Sequence, residues 1–178
     1  MIIMQMASAP SRASRPVEAR YDILPSTLGF VAVAETALGI AAVLIDDDAA
    51  KLDRLILDRL PAATRGAVGY GSAIVNALET GEDVDLPLDP QGTPFQKSVW
   101  RSPREIGLGE TITYSELAAR VGRPASVRAV AAACGANPIA VIVPCHRVIG
   151  KDGKLTGYAW GIEKKRMLLD RERRRVAV

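Results

Sequence analysis

The chain of 178 residues contains one histidine, His146, and a cysteine stands directly before it. A free thiol has a pKa of about 8.5, so only about 3% is thiolate at neutral pH. A neighbouring imidazole that takes the proton raises that fraction, and the thiolate is the nucleophile. Cys145 and His146 are therefore the candidate nucleophile and base. The competing reading is structural, because free cysteines are among the most buried residues and pack as small hydrophobes. Cys134 is read that way. Only Cys134, Cys145 and His146 could supply soft ligands, and zinc takes four, or three plus water, at spacings absent here. No metal site is expected.

The pair must be positioned by what flanks it. Residues 141–143 are β-branched and run into Pro144, which predicts a short buried strand with Cys145 at its end. Upstream, residues 115–121 and 126–134 read as two helices around the turn Gly122-Arg123-Pro124, with Gly135 as a stop. This suits a helix-turn-helix, though an ordinary helical hairpin has the same outline. The second helix carries small Ala129, Ala131, Ala132 and Ala133, with Arg128 as its one long polar side chain. Such a surface allows close approach to nucleic acid but supplies few groups to read base edges. Asn137 before Pro138 fits turn chemistry. Downstream, 151–154 form a turn centred on Asp-Gly. Gly157-Tyr158-Ala159-Trp160-Gly161 places two aromatics in a glycine-rich loop. Residues 162–175 predict a last helix with Ile162, Leu168, Leu169 and the aliphatic parts of Lys165 and Arg166 facing inward. Glu172 lies in its basic final turn.

Pro144-Cys145-His146-Arg147-Val148, with Arg128-Ala129-Val130 and Asn137-Pro138 before it and Gly157-Tyr158 and Glu172 after it, resembles the active-site signature of the O6-alkylguanine-DNA alkyltransferases, the methylated-DNA–protein-cysteine methyltransferases. The resemblance is strong over 94–173 and weak over 20–93. The stretch 157–161 looks most like the Ada C-terminal branch of that family. The resemblance implies direct reversal of O6-alkylguanine, and of O4-methylthymine, in duplex DNA. The alkyl group passes to Cys145 once and irreversibly, with no cofactor. It implies a relay from Cys145 through water to His146 and Glu172, a hinge role for Asn137, and Tyr114 turning out the damaged nucleotide and protonating the leaving guanine. It places Arg128 in the base stack as an arginine finger, with Ser126, Ala129 and Ala132 on the minor groove. Tyr158 would pack on the guanine, the Ala159 N–H would donate to its O6, and carbonyls at Cys145 and Val148 would read its amine. Pro144 and Trp160 would complete the pocket.

The first half is legible on its own. Residues 30–34 and 40–45 read as strands separated by Gly39. Asp46-Asp47-Asp48 is expected to cap a helix over 51–60, where negative charge suits the dipole. Leu52, Leu55, Ile56 and Leu60 share one face, and Pro61 ends the helix. A second helix is expected over 71–78, stopped by Gly81. Residues 85–90 read as an extended linker, and the boundary between domains 19–90 and 91–178 is set there. Thr93-Pro94-Phe95-Gln96 predicts a capped helix start. Pro103 would break that helix interior at a cost of about 3 kcal/mol, so a kink or stop near Ser102 is expected. The fold class is thus α/β (α+β), with a small antiparallel sheet and helices, ribonuclease-H-like by the family resemblance, followed by a mostly helical half.

Composition bounds the rest. The hydrophobic fraction of 48% permits a core. Residues 1–94 carry 7 basic and 13 acidic side chains, whereas 95–178 carry 16 and 7. A basic half on a nearly neutral chain points to a polyanion partner for that half; a solvated Lys/Arg face is the plainer account. Two cysteines without framework spacing suit a reducing compartment. No apolar stretch approaches the ~20 residues of a membrane span, so a cytoplasmic protein is expected; a monomer is expected as well. Residues 1–18 are expected to form a disordered tail. The resemblance implies two alternatives: a non-enzymatic alkylguanine-binding protein, a branch that lacks the cysteine, against which Cys145 argues, and a regulator like full-length Ada, which needs a cysteine-rich zinc domain.

Overall fold

A computed structural model describes residues 16–177. The tail expected over 1–18 falls outside the described residues except for its last three. β1 (Ala19–Ser26), β2 (Gly29–Thr36) and β3 (Gly39–Asp46) form an antiparallel meander. Period-two alternation sorts β2 between two cores. Val31 and Val33 face the larger cluster shared with the second half, and Ala32 and Ala34 face the smaller one. α1 (Ala49–Arg59) covers the alanine side, where small residues let a helix lie close. Its Leu52 and Ile56 are fully buried, each contributing about 1.5–3 kcal/mol. Asp48 caps it as expected, accepting from the N–H groups of Ala50 and Lys51.

The expectation of a wholly antiparallel sheet needs one correction. β4 (Ala63–Arg65) adds beside β1 in parallel, giving the order β3-β2-β1-β4. The chain reaches that edge through the α1 crossover, and such a crossover returns a strand in parallel. Three residues with one buried side chain gave no periodicity to read. α2 (Gly71–Thr80) follows and ends at Gly81 in the left-handed conformation.

The linker stitches to the sheet. Ile40 donates to the Pro87 carbonyl at 2.9 Å and Asp89 donates to the Ile40 carbonyl at 2.8 Å. α3 (Pro94–Arg101) opens with the full Thr93/Gln96 capping box. It stops where Pro103 requires, and residues Ser102–Glu105 tighten into a 3-10 turn. The Trp100 indole N–H donates to the Ala133 carbonyl at 2.8 Å, pinning α3 to a later helix. β5 (Ile112–Thr113) leads into α4 (Tyr114–Arg120), which has its own Thr113/Glu116 capping box. Gly122, at φ +70°, turns the chain into α5 (Val127–Gly135). β6 (Val148–Ile149) pairs in parallel with β5, and α6 (Ile162–Val176) closes the fold.

Residues 141–143 do not form the expected strand. They turn, with Val141 at φ +68°. The sheet-like contact lies earlier. Val43 donates to the Pro138 carbonyl at 2.8 Å and Ala140 donates to the Val43 carbonyl at 2.9 Å. Asn137 decides this. Its amide donates to the carbonyls of Ile139 (3.3 Å) and Val143 (2.9 Å), and its carbonyl accepts from the Ile139 N–H at 2.9 Å. A side chain that satisfies the local backbone competes with ladder formation.

Candidate active site

Cys145 opens a 3-10 turn, Cys145–Arg147, in which all three side chains are buried. The turn, β6, the 156–158 loop and α6 place the reactive groups. His146 Nε2 donates to Glu172 Oε1 at 2.6 Å, across the contact of α6 with this turn. That bond fixes the neutral tautomer and leaves Nδ1 as an acceptor without a protein partner. Burial pushes the His146 pKa down, outweighing the upward pull of Glu172. The ring is therefore neutral near pH 7.

Glu172 is shared. Arg147 Nε lies 3.1 and 3.0 Å from its two oxygens and Nη2 lies 2.9 Å from Oε1. Burial alone would raise the carboxyl pKa, but His146 and Arg147 outweigh it and hold Glu172 at about 2. Arg147 also donates to the Ile106 carbonyl at 2.7 Å and pairs with Asp83. Reading Glu172 as a partner of His146 alone missed this. The signal was present, because an arginine inside the apolar run from Ile142 to Val148 requires a buried counter-charge.

The thiol departs from the expectation. A hydrogen bond with the Cys134 thiol, then burial, raises the Cys145 pKa well above its ordinary value, opposed in part by Asn137 and Lys165. The resting group is thus a thiol rather than a thiolate, since a desolvated site disfavours the anion. Cys134 packs as expected and also meets the Cys145 thiol. Lys165 is fully buried, and its ammonium donates to the carbonyls of Val148 (2.6 Å) and Thr156 (2.9 Å). Burial lowers its pKa to about 8. Only its aliphatic stem was anticipated, although its place three residues before Leu168 set it on the apolar stripe.

Tyr114 reaches the same loop from α4. Its hydroxyl donates to the Thr156 and Gly157 carbonyls at 3.1 and 3.0 Å. Gly157, at φ +57°, permits this, as a Cβ there would lie 3.3 Å from the hydroxyl. Burial raises the Tyr114 pKa, so it remains a neutral donor. Tyr158 is half-buried with its hydroxyl fully inside, and its ring meets His146 edge-on at 6.4 Å between centroids. Trp160 packs against both cores, Ala159 is exposed and Pro144 is buried. The Val148 carbonyl already accepts from Lys165 and keeps one lone pair.

The structure therefore brings Cys145, His146, Glu172, Asn137, Tyr114 and Tyr158 into one region. It puts Arg128, Ala129 and Ala132 elsewhere, on the exposed face of α5, with Ser126 half-buried at its start. Arg123 and Arg128 make no ion pair among the described residues. No three metal-ligating side chains cluster among the described residues, and no helix there is long and apolar enough to cross a membrane.

A buried cysteine next to an imidazole braced by a carboxylate, on a small mixed α/β frame, is the arrangement these elements build. The family described as 6-O-methylguanine DNA methyltransferase, DNA binding domain, matches residues 94–174. A probable methylated-DNA–protein-cysteine methyltransferase of Acanthamoeba polyphaga mimivirus is 41% identical over 147 residues, 81% of this chain and 97% of that protein. The bifunctional transcriptional activator/DNA repair enzyme Ada of Escherichia coli is 42% identical over 159 residues, 86% of this chain but 45% of Ada, so the chain spans under half of that relative. A crystal structure of Mycobacterium tuberculosis OGT in complex with DNA superposes with a TM-score of 0.73 at 37% identity, covering 89% of this chain and 94% of that one. The chain belongs to the methylated-DNA–protein-cysteine methyltransferase family.

Proposed function

We propose that this protein repairs O6-alkylguanine in duplex DNA by moving the alkyl group to Cys145. One observation carries the reading: His146, held neutral with its Nε2–H on Glu172, presents a free Nδ1 beside a buried thiol. The thiol proton passes through one bridging water to Nδ1 as Sγ attacks the alkyl carbon. The S–C bond forms, the C–O6 bond breaks, and guanine leaves as its anion, which takes a proton from Tyr114. A high thiol pKa suits this timing, because proton loss coupled to attack avoids a free buried thiolate. Glu172 stabilises the imidazolium that results. The thioether product is not readily cleaved, so each molecule acts once. O4-methylthymine is a second substrate in this reading.

Arg123 and Arg128, which make no ion pair among the described residues, and the small exposed face of α5 support a DNA contact with little sequence reading. We read α4, the Gly122 turn and α5 as a helix-turn-helix, with Ser126, Ala129 and Ala132 against the minor groove and Arg128 filling the gap left by the flipped nucleotide. Tyr158, Ala159, Trp160, Val148 and Pro144 would line the base pocket. The order β3-β2-β1-β4 supports a ribonuclease-H-like first half, with 91–178 carrying the DNA contacts and chemistry.

Intact-protein mass after incubation with duplex DNA carrying O6-methylguanine tests the proposal. A gain of one methylene, mapped to Cys145 and missing in Cys145→Ala, is expected. Tight binding without any gain would leave a recognition protein instead.

A further inference from the structure

Buried polar atoms are nearly always hydrogen-bonded, and each exception calls for a reason. Among the described residues the buried side-chain atoms without a partner are His146 Nδ1 and Tyr158 Oη. Both belong to one site, on rings whose centroids are 6.4 Å apart and whose planes cross at 78°. Their chemistry is complementary. Nδ1 is an acceptor because Nε2 carries the ring proton toward Glu172. Oη is a donor, because burial first, and then the nearness of Cys145 and of the Glu172 carboxylate, raises the Tyr158 pKa. The two do not bond to each other.

Tyr158 also poses a question of residue type. Its half-buried ring offers a face for stacking, which phenylalanine would offer equally. The hydroxyl, by contrast, points into the interior, where an unsatisfied donor costs about 1–3 kcal/mol. A buried water needs two to four polar partners to be retained. The thiol and Nδ1 alone give the minimum, and Oη gives a third.

We propose that the Tyr158 hydroxyl is a positioning group for proton transfer, holding with His146 Nδ1 the bridging water that receives the Cys145 proton. The water accepts from Sγ–H and from Oη–H and donates to Nδ1. Donation from Oη polarises it, which strengthens its own bond to Nδ1. As Sγ attacks, the S–H bond breaks toward the water and the water's proton moves to Nδ1; Tyr158 keeps its proton throughout. The proposal rests on the relay set out above. The other groups facing this region are Cys134 from α5, Tyr114 from α4, Asn137, Arg147, and Lys165 and Glu172 from α6.

The experiment compares the full chain with Tyr158→Phe, which keeps ring and volume. His146 is the sole histidine, so its ring nitrogen resonances in the 15N-labelled protein report Nδ1 without DNA. The Nδ1 resonance should move in Tyr158→Phe while Nε2 stays on Glu172. In single-turnover assays the variant should bind O6-methylguanine duplex within about twofold of wild type. It should transfer methyl about tenfold more slowly, the loss of one hydrogen bond, with its pH–rate profile moved upward. An unchanged Nδ1 resonance overturns the proposal, as does an unchanged pH–rate profile. If the wild type itself transfers no methyl to Cys145, the repair reading fails, and the resonance comparison still decides the role of Tyr158.

Discussion

Glu172→Gln tests the electrostatic account most directly. The substitution keeps shape and removes the charge that faces His146 Nε2 and the Arg147 guanidinium. A folded-state value of about 2 against an ordinary 4.5 corresponds to about 3 kcal/mol of stability at neutral pH. Removing one member of a buried pair costs about 3–5 kcal/mol. Arg147 retains Asp83, so the lower figure is expected. For a chain of this size that is about 6–12 °C in Tm. The pH dependence carries its own sign. A carboxyl held below its ordinary value contributes stability that is complete above about 4.5 and lost as pH falls through about 2. The gap between wild type and variant should therefore be full at pH 7 and shrink below pH ~4.5. Urea unfolding at a series of pH values reads it. A gap below about 1 kcal/mol at pH 7, or one that persists unchanged toward pH ~2.5, would refute the reasoning. Methyl transfer should slow about a hundredfold, in the range for an impaired general base.

Trp100→Phe removes the indole donor to the Ala133 carbonyl, which keeps the Ala136 N–H, and should cost about 0.5–1.5 kcal/mol in urea unfolding; an unchanged midpoint would mean α3 does not rely on that bond. Gly122 has a positive φ and open space around it, so Gly122→Ala should cost about 1–2 kcal/mol from backbone strain alone, and a gain in Tm would contradict that. Arg123→Ala should weaken duplex binding and flatten the plot of log affinity against log salt by about one unit, measured by fluorescence anisotropy; an unaltered slope would remove Arg123 from the phosphate-facing surface.

The local elements were readable because their causes are local. Asp48 caps α1, the Thr93/Gln96 box opens α3 with Pro94 at its start, and Pro103 ends it, each through contacts within a few residues. The candidate nucleophile and base were legible too, since Cys145 and His146 are adjacent and the surrounding signature is specific. What the sequence could not supply was distance in space. β4 joins β1 across 44 positions, from Ala19 to Ala63, and no pattern in its three residues announces a parallel partner. The run 141–143 has strand composition, yet Asn137 takes the Val143 carbonyl and turns it.

The same divide holds for the chemistry. The amino-acid types alone determined that a thiol, an imidazole and a carboxylate were available. Only the tertiary structure decided their protonation. Burial with Cys134 keeps Cys145 a thiol, burial keeps His146 neutral, and His146 with Arg147, itself paired to Asp83 from the segment after α2, keeps Glu172 an anion near neutral pH. Proton affinity depends on desolvation and on charges within a few ångströms, and the groups that set it here lie up to 64 residues apart in sequence.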